Sequence, residues 1–245
     1  MKFSKRHPRY ASLLQREALV KGYEAGVTAL AGLIAHGRGE AFDYILGEAT
    51  PPMAEKAIEA AAALLLLAEK PVISVNGNTA VLCPKELVRL ARAVGAELEV
   101  NLFYRSKKRV ELIAAILRSH GAERVYGISS RKEIPGVASA RRLADEAIYK
   151  SDVVLVPLED GDRTEALVKA GKRVIAIDLN PLSRTARAAN ITIVDNVVRA
   201  VPRLIEKAEE LREKPAEDLE KIVSAFDNQR NLEEVTRYIV RRYCL

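Results

Sequence analysis

Six short apolar runs, at residues 72–75, 98–101, 125–128, 153–156, 174–177 and 191–194, are separated by stretches with helical spacing at 85–94, 107–119, 138–150, 163–170 and 184–188. Strands alternating with helices in this way are expected to lie parallel, joined by right-handed crossovers. The run VVLV at 153–156 is apolar at both alternating positions, which suits a strand covered on both faces and not a half-exposed one. The expected fold class is therefore α/β: a Rossmann-like, doubly wound, mainly parallel sheet of six strands.

The flanks read differently. Residues 8–70 carry helical patterns only: 11–22 is charged and amphipathic, 23–36 is more apolar, and 53–69 is very rich in Ala and Leu. A turn is expected at Gly37, Arg38 and Gly39, and the pair Pro51-Pro52 marks the start of the third helix. Helical patterns return at 197–212, 215–226 and 232–243. The expected organisation is a helical N-terminal segment (1–70), a nucleotide- and substrate-binding core (71–196) and a helical C-terminal segment (197–245), joined in one integrated domain. Helix 53–69 suits either a dimer surface or a buried core helix, and periodicity does not choose between them.

Composition narrows the function classes. A chain of 245 residues, 49% of them hydrophobic, buries enough surface to fold without disulfides or structural metals. The two cysteines, Cys83 and Cys244, have no C-x-x-C spacing, which points to a reducing cytoplasm and away from zinc. The longest apolar run, 60–68, is far short of the roughly 20 residues that cross a bilayer. The basic N-terminus MKFSKRHPRY is followed by no apolar signal region, so a cytoplasmic protein without membrane attachment is expected. Scarce Gln and Met beside abundant Glu, Lys and Arg resemble heat-adapted proteins. The net charge of +6 favours phosphate-bearing ligands, whereas 5% aromatic residues argue against a nucleic-acid surface. Neither G-x-x-x-x-G-K-[ST] nor a G-x-G-x-x-G after the first strand is present. His7, His36 and His120 lack metal-ligand spacing, and no metal-binding residues are assigned.

In an open parallel sheet, ligands bind beyond the carboxyl ends of the strands, where helix N-termini present free N–H groups to anions. The first run ends in Asn76, Gly77, Asn78 and Thr79, a small polar cluster that reads as a phosphate cradle or, equally, as a capped tight turn. The second ends in Asn101 and, four residues on, Arg105, an amide and a guanidinium suited to a carboxylate or phosphate. Lys107, Lys108 and Arg109 beyond them read as solvated surface charges. The fifth run ends in Asp178, Leu179, Asn180, Pro181, Leu182, Ser183, Arg184 and Thr185, an acid at a strand tip before a helix start that Ser183 can cap. Asp195 and Asn196 end the sixth. Five of the eight Asn residues fall at these ends, a concentration that favours a site. Arg16 and Arg38 are further candidates, Arg38 because its flanking glycines suit projection towards a phosphate.

VNGNTA (75–80), EVNLFYR (99–105) and above all IDLNPLSRTA (177–186), with PRYASLLQRE (8–17) and HGRGEAFDYILGE (36–48), resemble the archaeal-type phosphopantothenate synthetase family, also called 4-phosphopantoate:β-alanine ligase. The resemblance implies an ATP-dependent ligase of coenzyme A biosynthesis that joins 4-phosphopantoate to β-alanine through an acyl-adenylate, releasing AMP and pyrophosphate. It implies a homodimer acting on small molecules, with Mg2+ accompanying ATP. Carried over by position, ATP contacts fall to Arg16, Arg38, Asp178, Leu179, Asn180, Arg184, Thr185, Asn196 and Val197. The phosphorylated acid falls to Asn76, Gly77, Asn78, Thr79, Asn101 and Arg105, with Asn101, Arg105 and Arg184 in catalysis. The residues alone leave two rivals: a Rossmann-like enzyme using a dinucleotide or sulfonium cofactor, and a non-catalytic nucleotide- or nucleic-acid-binding protein.

Overall fold

The computed structural model describes residues 3–129, 132–137, 142–158 and 160–243. Three helices, α1 (Tyr10–Glu24), α2 (Leu30–Leu46) and α3 (Pro52–Leu67), precede the first strand, β1 (Pro71–Val75). Next come α4 (Gly77–Leu82), α5 (Pro84–Val94), β2 (Glu97–Val100), α6 (Lys107–Ser119) and β3 (Val125–Tyr126). A short antiparallel pair, β4 (Lys132–Glu133) and β5 (Leu143–Ala144), stands outside the main sheet and leads to α7 (Glu146–Lys150). Then follow β6 (Val153–Pro157), α8 (Gly161–Lys169), β7 (Arg173–Ile177), α9 (Arg184–Ala188) and β8 (Ile191–Ile193). The C-terminal helices are α10 (Val197–Leu211), α11 (Ala216–Ala225) and α12 (Asn228–Tyr243).

The main sheet has six strands, all parallel, in the order β3-β2-β1-β6-β7-β8. Winding reverses between β1 and β6, the topological switch point at which doubly wound sheets form ligand crevices. Alternate residues of the central strands enter two separate cores. Val153, Leu155, Ile175 and Ile177 join one with α3, α5, α6 and α10. Val154, Val156, Val174 and Ala176 join the other with α7 and α8. Coverage on both faces is what the continuous apolar runs require.

Two expectations need correction, and one open alternative is decided. The turn expected at Gly37–Gly39 is absent: α2 runs through it, and the chain turns earlier, at Gly26, where φ is +77°. One of the glycines in α2, Gly32, serves close packing, which outweighs the roughly 1 kcal/mol it costs relative to Ala. A Cβ on Gly32 would lie 2.7 Å from Asn78 Oδ1, and one on Gly39 would rest against Leu179. The helix expected at 138–150 is confined to α7, because Leu143 and Ala144 pair with β4; residues 138–141 lie outside the described residues. Finally, of the two readings of helix 53–69, the structure shows a buried core helix. Ala54, Ala57, Ile58 and the run from Ala60 to Leu65 are buried against α10, α11 and β8 of the same chain. Among the described residues no helix is long and apolar enough to cross a membrane.

Candidate active site

The exits of β1 and β6 are tied together by Asn76. Its Nδ2 donates to the carbonyl oxygens of Pro157 (2.9 Å) and Leu158 (3.1 Å), while its Oδ1 accepts the Thr79 N–H (3.1 Å). The Asn76 N–H donates to Thr79 Oγ1 at 3.0 Å, completing a reciprocal cap on α4. Thr79 is wholly buried, so its side chain works inside this clasp. Gly77 meets the turn before α2: a Cβ there would lie 2.6 Å from the Val27 carbonyl oxygen. Asn78 Nδ2 donates to the Gly32 carbonyl at 2.9 Å and so docks α2 over the switch point.

The β7 exit is ordered by its own polar side chains. Asp178 Oδ1 accepts the Asn180 N–H (3.0 Å), its other oxygen accepts the Ser183 hydroxyl, and Asn180 Oδ1 accepts the Leu182 N–H (2.9 Å). Ser183 caps α9, as expected. Burial pushes the Asp178 carboxyl above the usual carboxylate range, opposed by these hydrogen bonds and by the charge of Arg38 reaching over from α2. Arg38 and the tip from Asp178 to Asn180 are therefore brought together although 140 residues separate Arg38 from Asp178. Arg184 is exposed beside them and paired with Asp162 (2.7 Å) and Glu165 (3.1 Å) of α8.

At the β8 exit, Asn196 caps α10 and donates through Nδ2 to Gln15 Oε1 (3.0 Å) and Asp43 Oδ2 (2.8 Å), reaching both α1 and α2. Arg199 binds Asp43 and Asp195, and Asp195 also accepts the Thr50 hydroxyl at 2.7 Å. Burial raises the Asp195 carboxyl despite the adjacent guanidinium, so this ion pair is held by surrounding packing and hydrogen bonds. Arg16 pairs with Glu40 at 2.7 Å, beside His36 one helical turn earlier on α2. Burial lowers the His36 pKa, Glu40 and Asp43 oppose that, and Arg16 adds to it.

These loops enclose one cavity of about 600 Å³, a size suited to small-molecule ligands. Of the candidate residues, Arg38, Asn76, Gly77, Asn78, Asp178, Leu179, Asn180, Arg184, Thr185, Asn196 and Val197 line it. Arg16, paired with Glu40, is not part of the wall. Asn101 and Arg105 lie on the same rim but outside the cavity wall. Asn101 is buried, its Nδ2 donating to the Leu143 carbonyl at 3.3 Å. Arg105 donates to the Gly127 carbonyl. Both belong to a buried polar cluster in which Glu99 accepts the N–H groups of Asp145 and Ile148, each at 2.9 Å. Arg163 is fully buried in that cluster, and desolvation pushes its pKa down to about 10 against the pull of Glu99 and Asp160.

Sequence reading missed His36, Phe42, Leu102, Tyr104, Arg109 and Asp160, all in the cavity wall. Arg109 is the instructive case. Read as a surface charge, it sits on the wall, with its Nη1 donating to the Tyr104 carbonyl at 2.6 Å. The signal available was the run Arg105–Ser106–Lys107–Lys108–Arg109 at a helix start, without an acid in the first turn.

The sequence profile of the family described as phosphopantothenate/pantothenate synthetase matches residues 53–242, well over half of the chain. The chain belongs to this family. It is similar to the 4-phosphopantoate–β-alanine ligases of Thermococcus kodakarensis (58% identity, covering 96% of this chain and 91% of that protein) and Thermococcus onnurineus (57%, covering 98% and 92%). The corresponding ligase of Methanosarcina mazei is 50% identical, over 93% of this chain and 90% of its own length. The segment matched by the phosphopantothenate synthetase profile holds the whole main sheet and every strand exit of the cavity, whereas α2, which roofs it, and α1 precede that segment.

Proposed function

We propose that the chain is an ATP-dependent ligase that condenses 4-phosphopantoate with β-alanine, giving 4'-phosphopantothenate, AMP and pyrophosphate. The observation that carries this reading is a single cavity drawing its walls from both sides of the switch point in a chain 58% identical to a 4-phosphopantoate–β-alanine ligase. Two ligands in one crevice at the switch point is what joining an acid to an activating nucleotide demands.

In this reading the nucleotide lies towards β7 and β8, against Arg38, Asp178–Leu179–Asn180, Arg184–Thr185 and Asn196–Val197, with Arg16 closing the outer edge. The acid lies towards β1 and β2, against Asn76, Gly77 and Asn78. Attack of a carboxylate oxygen on the α-phosphorus breaks the bond to the bridging oxygen and releases pyrophosphate. Attack of the amine nitrogen on the acyl carbon then expels AMP. The chain supplies no covalent nucleophile in this scheme; Arg38 and Arg184 offset the charge that gathers on the departing pyrophosphate. Asn101, Arg105 and Thr79 act indirectly, by holding the loops that carry the acid. Single carboxylates such as Asp160 and Asp178 suit a Mg2+ ion that arrives on the triphosphate and takes its other ligands from phosphate and water.

The reading extends to a cytoplasmic homodimer. With α3 buried, the exposed apolar residues Leu30 and Ile34, one turn apart on α2, are the better candidate contact. The catalytic reading is tested by incubating the protein with ATP, Mg2+, 4-phosphopantoate and β-alanine. AMP appearing in step with 4'-phosphopantothenate supports it; ADP as the nucleotide product contradicts it.

A further inference from the structure

The cavity wall on the β2 side carries a cation that the family reading leaves without a task. Arg109 lies in the first turn of α6, where the positive end of the helix dipole disfavours a cation, and that turn contains no acidic residue. Among the described residues no carboxylate lies within ion-pair distance of Arg109, and its buried Nε has no hydrogen-bond partner. Among the described residues its guanidinium donates one hydrogen bond, from Nη1 to the Tyr104 carbonyl, which fixes one end and leaves the rest of the fork available on the wall. Arg105 differs: it is tied to the Gly127 carbonyl and faces Glu99 and Asp145, which already compensate its charge.

A cation held against a helix dipole, desolvated at Nε and uncompensated by any carboxylate, is an anion site. The anion's source follows from the order of the strands. Arg109 belongs to the helix after β2, three strands from β7, so roughly 14 Å separates the two strands at the usual spacing. With the nucleotide at the β7 and β8 exits, the acid must point its carboxylate towards β7 and its opposite end towards β2. In 4-phosphopantoate that opposite end is the phosphate, and the dimethyl carbon between them needs apolar cover, which Val27, Leu82 and Leu102 provide on the intervening wall.

We infer that Arg109 binds the phosphate of the acid substrate and is the residue by which the cavity selects the phosphorylated acid over the free hydroxy acid. This rests on the proposed ligase reading and adds the end of the cavity at which the phosphate sits.

The test compares wild type with Arg109→Gln and Arg109→Lys, measuring KM for 4-phosphopantoate, KM for ATP, and the inhibition constant of unphosphorylated pantoate as a competitor. Arg109→Gln is expected to raise KM for 4-phosphopantoate at least 10-fold, leaving KM for ATP and the pantoate inhibition constant within 2-fold. Arg109→Lys, which keeps charge and stem, is expected to show a smaller rise confined to the same substrate, and it serves if the Gln variant does not fold. An unchanged KM for 4-phosphopantoate, or equal losses towards 4-phosphopantoate, pantoate and ATP, overturns the inference while leaving the ligase reading in place. A wild-type protein that forms no AMP from the phosphorylated acid overturns the ligase reading itself.

Discussion

Asn76 at the end of β1 donates its side-chain amide to the carbonyl of Leu158 at the end of β6, spanning the point at which the sheet reverses its winding. The same side chain donates to Pro157 and caps α4, so its amide is shared between two crossovers that diverge to opposite sides of the crevice. A ligand cavity at the switch point thus has a built-in clamp at its floor.

Asn76→Ala leaves the cap and two carbonyl acceptors without their partner, at an expected cost of about 2 kcal/mol or more. Asn76→Asp keeps the acceptor for Thr79 but sets a buried carboxylate oxygen against the Pro157 and Leu158 carbonyl oxygens, and at neutral pH should cost at least as much as Ala. Urea denaturation of the three proteins checks the order.

Gly77→Ala places a methyl group 2.6 Å from the Val27 carbonyl, which is backbone and cannot swing aside. The turn before α2 must shift, at an expected cost of about 1–3 kcal/mol. Because that turn carries the roof of the cavity, KM for ATP and for the acid should rise together, measured by steady-state kinetics.

How much of this was readable beforehand varies with the physics. The central strands β6 and β7 are the most legible because each is apolar on both faces, a pattern that neither a turn nor an amphipathic helix produces, whereas β2 alternates Glu97 and Glu99 with Leu98 and Val100. The helix α4 is not legible: Asn-Gly-Asn has the composition of a turn, and six residues are too few for periodicity to register. The turn expected at Gly37–Gly39 fails because the docking of α2 through the close approach of Gly32 to Asn78 is a long-range fact that local propensity does not contain. Arg105 and Arg109 show the same limit at the site. Four residues apart in one basic stretch, one turns to Gly127 and the other to the cavity, and only the position of β3 decides which.

Arg184→Ala separates binding from folding. Its pairs with Asp162 and Glu165 are exposed and contribute little to stability. The melting temperature should stay near wild type, while loss of a charged hydrogen bond to the nucleotide, worth roughly 1.5–3 kcal/mol, should raise KM for ATP or lower kcat about 10-fold or more. Unchanged kinetics would remove Arg184 from the site.

Arg199→Met leaves Asp43 and Asp195 buried without their shared guanidinium. Breaking such a pair is expected to cost about 3 kcal/mol. It should also loosen α2 from α10, seen as faster amide hydrogen exchange along α2.

His36 makes stability depend on pH. Burial holds its folded-state pKa below the ordinary value of 6.5, so the unfolded chain takes up the proton first as pH falls. The contribution of neutral His36 is therefore fully present above pH 6.5 and is lost as pH falls through the folded-state pKa. Urea midpoints of wild type and His36→Gln between pH 5 and pH 8 should run parallel at the upper end and converge or cross at the lower, at values on the order of those that linkage sets.

In the proposed reaction one cavity holds ATP beside a phosphorylated acid and joins the adenylyl group to the acid before the amine arrives. Isotope exchange between pyrophosphate and ATP tests this with β-alanine left out. Exchange that depends on 4-phosphopantoate, and that Arg184→Ala weakens, is the expected result. No exchange, in a protein that still makes 4'-phosphopantothenate once β-alanine is added, would contradict a separate acyl-adenylate step.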